Sequence, residues 1–260
     1  MSLLINILSD YQKNSLENVK LLAALKSFDP TTDVLCNKDN FKTCGVIEPA
    51  MYLMLTQKEY PKNTIHVIDT KIAGNLPEMY VLACSNKQWY IAPDNGLLSI
   101  LMENKPCAFF EIPTKPGQFV DFTKHILTPA LWNITDANFT TDNIQLPPSR
   151  AIVDSRLGEP GFQNNIYKLS IIYFDENGDT YYNLHKEFFD ENIAGNAFDI
   201  RLSITQSISK ISEHYSQVPE GEIAALFHSS GYLYLKNHHG NARKLLGLRQ
   251  DSKLMLQVKK

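Results

Sequence analysis

Two acids standing at the ends of apolar runs are the first side chains able to do chemistry. Asp10 follows the apolar run at residues 3–8, and Asp69 closes Thr64-Ile-His-Val-Ile-Asp69. Open α/β sheets bind ligands beyond the carboxyl ends of their strands, so acids at two such ends could border one cleft. The plainer reading is that each carboxylate caps a loop. Pro93-Asp94-Asn95-Gly96 and Ser229-Ser230-Gly231 are polar enough to hold a ligand, yet both are first of all tight turns. His238-His239 before Gly240 invites a metal, but adjacent turn histidines usually face solvent and no third ligand at helical spacing completes a set. His66 lies inside an apolar strand and reads as a satisfied core histidine.

The elements that must position these residues change character along the chain. After the first strand, Asn14 or Ser15 can cap a helix whose Leu16, Val19, Leu22 and Leu25 recur at helical spacing. Asp29-Pro30 ends it, and residues 33–36 start a second strand. Residues 47–60 form another amphipathic helix stopped by Pro61, and residues 64–69 a third strand. Strands alternating with helices predict an α/β domain with a mostly parallel or mixed sheet. Residues 79–84 and 88–92 make a hairpin, residues 97–101 an apolar segment, and residues 122–134 a helix. The stretch Gln145-Leu-Pro-Pro-Ser-Arg150 reads as a linker, because two prolines remove backbone donors.

Beyond it come short strands at residues 168–174 and 180–184, joined by a Glu-Asn-Gly-Asp turn, then at 198–204, 224–228, 232–235 and 254–258. That spacing predicts a small all-β, barrel-like domain. The expected organisation is therefore residues 1–147, an α/β domain, and residues 148–260, a barrel-like one.

Composition narrows the function classes. The chain has 260 residues, 43% of them hydrophobic, with 25 Lys and Arg against 28 Asp and Glu for a net charge of −3. No basic footprint for nucleic acid or anionic lipid follows, and disorder is excluded. Cys36, Cys44, Cys84 and Cys107 form no CxxC pair and read as reduced thiols. The opening residues are too short a run for a membrane span and lack the basic leader of a signal peptide. The expectation is a cytoplasmic protein with no nucleic-acid or membrane partner.

Five segments in order resemble one family, the adenosine-forming S-adenosylmethionine hydrolases, or SAM hydroxide adenosyltransferases, which are related to the bacterial fluorinases and chlorinases. They are Ser9-Asp10-Tyr11; residues 60–69 ending in Asp69; Ala92-Pro-Asp-Asn-Gly-Leu-Leu98; Phe174-Asp175-Glu-Asn-Gly-Asp179-Thr-Tyr-Tyr-Asn183; and His228-Ser229-Ser230-Gly231-Tyr232-Leu233 with Gly240-Asn241-Ala242. The resemblance implies a homotrimer, each site lying between one subunit's first domain and a neighbour's second. It implies water attack on ribose C5′ that displaces methionine, with Asp69 as the catalytic aspartate. It also implies Asp10 on the ribose hydroxyls, Asp175 on the amino-acid ammonium, and Ser229 and Ser230 on the carboxylate. Asp179, Asn183 and the Ala242 backbone would meet the adenine. No metal or redox cofactor is implied; S-adenosylmethionine is the substrate.

The chain departs from the family where an Arg and a His complete the catalytic set. The Arg position falls near Asn75 or Leu76 and the His position on Phe122, with Lys71, Lys124 and His125 as nearby substitutes. Asp179 stands where the family has Asn; an ionised Asp accepts from an amino group but cannot donate to a ring nitrogen. No halide niche can be identified around residues 71–77. Three readings follow: a hydrolase with a degenerate catalytic set, a silent adenosyl-binding sensor or sequestering protein, and a trimeric scaffold that no longer binds the ligand.

Overall fold

The computed structural model describes residues 3–9, 15–37, 45–70, 79–102, 107–114, 120–149 and 152–259. Asp10, Cys44, Lys71, Asn75 and Leu76 lie outside them. The chain divides into two units, Met1–Arg156 and Leu157–Lys260. The division falls later than the proline pair because Pro147 and Ser149 are bonded to a strand of the first unit. The Glu111 amide donates to the Pro147 carbonyl, and the Ser149 amide to that of Phe109.

In the first unit the strands are β1 (Leu4–Ser9), β2 (Asp33–Asn37), β3 (Ile65–Asp69), β4 (Tyr80–Ser85), β5 (Gln88–Pro93) and β6 (Cys107–Ile112). They form one mixed sheet in the order β2-β1-β3-β5-β4-β6. β1, β2, β3 and β5 are parallel, while β4 and β6 run antiparallel to their neighbours. The helices are α1 (Leu16–Phe28), α2 (Ile47–Thr56), α3 (Leu97–Leu101) and α4 (Thr128–Asp136), the last preceded by a π-helical stretch at Phe122–Leu127. Leu21 and Leu25 of α1, Ala130, Leu131 and Ile134 of α4 pack with Ile5, Ile7, Ile65 and Val67 on one sheet face. α1 starts where expected, because the Ser15 hydroxyl accepts from the Asn18 amide. Half of its expected stripe holds: Leu25 lies in the core and Leu22 packs against it, whereas Leu16 and Val19 are exposed and Leu21 faces the core instead.

The opposite sheet face carries a polar layer. Asn6, His66 and Tyr90 are register partners across β1, β3 and β5. Asn6 Nδ2 donates to His66 Nδ1 at 3.0 Å, and the imidazole stacks on Tyr90 and meets Tyr60 edge-on. His66 is thus a core histidine as expected, but only its Nδ1 is satisfied, Nε2 being buried with no hydrogen-bond partner among the described residues; burial lowers its pKa to about 4, with Gln88 pulling the other way.

In the second unit the strands are β7 (Gly161–Gln163), β8 (Ile166–Phe174), β9 (Thr180–His185), β10 (Ala197–Arg201), β11 (Ser207–Ile208), β12 (Ile223–Phe227), β13 (Tyr232–Asn237) and β14 (Lys253–Lys259), with short helices α5 (Lys186–Asn192) and α6 (Ala242–Leu245). The order is β11-β10-β14-β8-β9-β13-β12, with β7 on β8, and every pairing among the described residues is antiparallel. The result is barrel-like, around Leu169, Tyr182, Leu184, Leu233, Leu235 and Leu256. Among the described residues no helix is long and apolar enough to cross a membrane.

Candidate functional site

Strand order decides where the first unit can hold a ligand. From β1 the chain crosses through α1 to β2 on one side, then through α2 to β3 on the other, so the crossover direction reverses between β1 and β3. At such a switch point the loops leave in opposite directions and open a crevice beyond the carboxyl ends. Ser9, the last residue of β1, is the register partner of Asp69, the last of β3. Parallel register partners point to the same face. Continuing two residues past the Val67–Ile91 pair puts Pro93 beside Asp69, and Pro93 pairs with Tyr80. Ser9, Asp69, Pro93 and Tyr80 therefore share one row.

That row is nearly dry. Asp69 is 7% exposed and Tyr80 6%, while the Ser9 hydroxyl is fully buried and has no hydrogen-bond partner among the described residues. Burial pushes the Tyr80 phenol above its usual pKa and the Asp69 charge pushes it further, so the hydroxyl stays protonated through the neutral range. Phe122 packs against it with ring centroids 5.5 Å apart. The position aligned with the family histidine thus presents a buried phenyl with no proton to exchange. Lys124 and His125 are exposed, and His125 Nδ1 accepts from the Asp121 amide on its own turn. The structure does not bring either to the Asp69 row. Sequence reading missed Tyr80; the signal was an aromatic hydroxyl at the start of a strand paired with the one that continues the Asp69 row.

The Pro93-Asp94-Asn95-Gly96 motif has a structural task. Asp94 accepts from the Val153 amide, Asn95 from the Leu97 amide, and Gly96 at φ +92° leaves room for Ser155.

In the second unit the resembling segments converge on the β8–β9 turn. Asp175 Oδ1 accepts from the Asp179 amide at 2.8 Å, and Asp179 is 4% exposed. Asp179 Oδ2 holds Lys236 Nζ of β13 in a short ion pair, and Asp179 Oδ1 is buried with no partner among the described residues. Burial, then the Asp179 charge, raise the Asp175 pKa against the opposing pull of the Asp179 amide and Lys236. Burial opposes the Lys236 charge, but Asp179 and Asp175 outweigh it and raise that pKa above the usual lysine value. Tyr181 stacks on Tyr234 at 5.1 Å and meets His228 edge-on at 5.8 Å. The His228 Nδ1 accepts from the Ser230 amide and lies 3.0 Å from the Ser230 hydroxyl. Tyr181 and His228 thus link the two acids to the Ser229-Ser230 turn.

Ala242 is buried at the start of α6, and the neighbouring Arg243 amide donates to the Gly178 carbonyl, so this helix is tied to the same turn. Asn183 has another task in this unit: its carbonyl accepts from the Ser170 amide and its amide donates to the Gly158 carbonyl. Lys236, Tyr181 and Tyr234 were missed in the sequence. Alternation along Tyr232-Leu-Tyr234-Leu-Lys236 puts the odd-one-out lysine on the tyrosine face, which was the available signal. His238 and His239 stack, with His238 Nδ1 donating to the Val218 carbonyl and His239 near Glu220. Among the described residues no three His, Cys, Asp or Glu side chains gather as a metal site.

A mixed α/β sheet with an acid at its switch point, followed by an antiparallel barrel-like unit with acids in a hairpin turn, defines a two-unit class with candidate ligand groups in each unit. Residues 5–135 match the SAM hydroxide adenosyltransferase N-terminal domain and residues 169–255 the SAM hydroxide adenosyltransferase C-terminal domain. The chain belongs to the SAM hydroxide adenosyltransferase family. Among solved structures, an uncharacterized conserved protein from Thermotoga maritima is similar with a TM-score of 0.77 at 16% identity, over 97% of this chain and 99% of that one. A conserved hypothetical protein from Thermus thermophilus is similar with a TM-score of 0.66 at 16% identity, over all of both chains. At that identity the likeness is one of fold.

Proposed function

We propose that the chain hydrolyses S-adenosylmethionine to adenosine and L-methionine. Water attacks ribose C5′, the carbon–sulfur bond breaks as the carbon–oxygen bond forms, methionine leaves as a neutral thioether, and the water's proton passes to solvent. Asp69 accepts a hydrogen bond from the water and aims its lone pair at C5′; in-line displacement depends on that alignment and on a dry pocket. Asp10, Asp175, Asp179, Asn183, Ser229, Ser230 and the Ala242 backbone bind the substrate in this reading. The protein works as a cytoplasmic homotrimer and needs no metal or redox cofactor. The observation that carries the proposal is the buried Asp69 at the β1–β3 switch point of a chain in this family.

The second reading, a silent adenosyl-binding protein, is favoured by one observation: Phe122, at the family's histidine position, is packed against Tyr80. Chromatography for adenosine, with calorimetry for S-adenosylmethionine and adenosine, decides between the two. Adenosine production that is lost in Asp69→Ala supports hydrolysis. Binding without production supports the silent protein, and equal production by the variant refutes the role of Asp69. Light scattering tests the trimer.

A further inference from the structure

The Asp69 row holds a second polar group that the reaction proposed above leaves unused. Tyr80 stands two strands from Asp69, and the residue between them in the row is Pro93, whose ring is short. Two strand spacings put their backbones about 10 Å apart, a span that a phenol and a carboxylate reaching toward each other nearly cover. The hydroxyl is close enough to feel the Asp69 charge, yet no hydrogen bond from the described residues acts on it. The ring below it is held firmly. Its backbone is paired on both sides, to Pro93 of β5 and to Ile112 of β6, and the ring packs in the core with Ile112 and Phe122. Ser9 is wholly enclosed, whereas Asp69 and Tyr80 both keep some exposed surface. A clamped ring thus ends in an uncommitted hydroxyl on the Asp69 row. A nearly dry hydroxyl without a partner costs free energy that a group from outside the chain recovers.

We propose that Tyr80 is a further catalytic residue, its phenol oxygen accepting the second O–H of the attacking water while Asp69 accepts the first. This deepens the hydrolysis proposed above and rests on it. With both protons of the water directed to fixed acceptors, a lone pair is left facing ribose C5′, the alignment that in-line displacement needs. Positive charge grows on the water oxygen as its bond to C5′ forms, so two acceptors favour the transition state over the ground state. The carbon–sulfur bond breaks with its electron pair going to sulfur, and one water proton leaves past Asp69 to solvent. Tyr80 keeps its own proton, because burial and the Asp69 charge both oppose its ionisation. Phe122, at the family's histidine position, clamps the phenol, and the phenol meets the water.

The test is steady-state adenosine formation by the full chain, for the parent, Tyr80→Phe and Tyr80→Leu, with melting curves alongside. Tyr80→Phe removes the oxygen and keeps the ring on Phe122. It is expected to lower kcat about 10–100-fold and to leave KM for S-adenosylmethionine within about threefold. Its melting temperature should stay within about 2 °C of the parent, since no hydrogen bond within the described residues is lost. Tyr80→Leu should lose kcat at least as far and melt earlier, because the ring goes too. A Tyr80→Phe chain as fast as the parent overturns the proposal and assigns Tyr80 to packing alone, whatever Tyr80→Leu does. A loss in Tyr80→Phe that lies in KM with kcat unchanged, or that comes with a lower melting temperature, overturns it as well. Adenosine formation abolished by Asp69→Ala but untouched by Tyr80→Phe leaves hydrolysis standing without Tyr80. A parent that forms no adenosine refutes hydrolysis itself, and the role of Tyr80 falls with it.

Discussion

Acids in the two units are held by different means. Asp69 is placed by strand register, in a row with Ser9, Pro93 and Tyr80. Asp175 and Asp179 are placed by closure of a turn, and their charges are managed by a cation and an amide from the same unit. Register is a property of the whole sheet, so the Asp69 side chain can be changed without disturbing what positions it. The turn acids are themselves part of what holds the turn. The difference predicts that chemistry and stability separate in the first unit and travel together in the second.

The largest expected effect tests the first half of that statement. Asp69→Ala should reduce adenosine formation on the order of 10³-fold while the urea midpoint moves little. A variant that unfolds instead would place Asp69 among the structural groups.

Next comes acid stability. The folded pKa of His66, about 4, lies below the ordinary histidine value of 6.5, so the fold favours the neutral ring. Between those values the unfolded chain binds a proton that the folded chain refuses. Stability from this group is complete above the unfolded pKa and is lost as pH falls toward the folded one, by about 3 kcal/mol in all. Asp175 has the opposite sign: its folded pKa is raised, so acidification through the carboxylate range relieves the second unit. Denaturant titrations at pH 7 and pH 5 should show the loss in the parent and a smaller one in His66→Phe.

Lys236→Met leaves Asp179 buried without its cation and should cost about 2 kcal/mol, read as a lower urea midpoint, with the Asp179→Asn double variant recovering most of it. An unchanged midpoint in the single variant would erase the contrast between the units.

The smallest effect concerns the turn before β13. Gly231 has φ +96°, and a Cβ there would collide with His185 Nε2. Gly231→Ala should lower stability by about 1–2 kcal/mol and weaken ligand binding at the same time.

Much of the fold was legible. The hairpin between β4 and β5 turns through Asn86 and Lys87, both at positive φ, which polar turn residues tolerate. The β8–β9 hairpin follows its Asn-Gly step, with Gly178 and not Asn177 at positive φ. The α1 stripe was half legible: Leu22 and Leu25 pack on the core as their spacing predicts, but the helix offers two apolar faces, and packing against β1 and β3 selects Leu21 over Leu16 and Val19. At the candidate site, strand-end acids were readable because sheet geometry makes their positions special. Lys236 was not, since its partner Asp179 is 57 residues away and only strand pairing brings them together. Phe122 could be seen as a departure, but its contact with Tyr80 is a product of how the π-helical stretch sits on the sheet.

The loop carrying Ser229 and Ser230 is pinned from several sides. The Gly231 carbonyl accepts from the Lys186 amide, the Ser230 carbonyl lies 3.3 Å from His185 Nε2, and the Ser230 amide is held by His228. A segment frozen in advance surrenders little freedom when it captures a guest, so the entropic toll of complex formation is largely met during folding. Whatever molecule this loop grips would meet a rigid jaw, and its residence time would reflect contact quality more than the effort of assembling the grip.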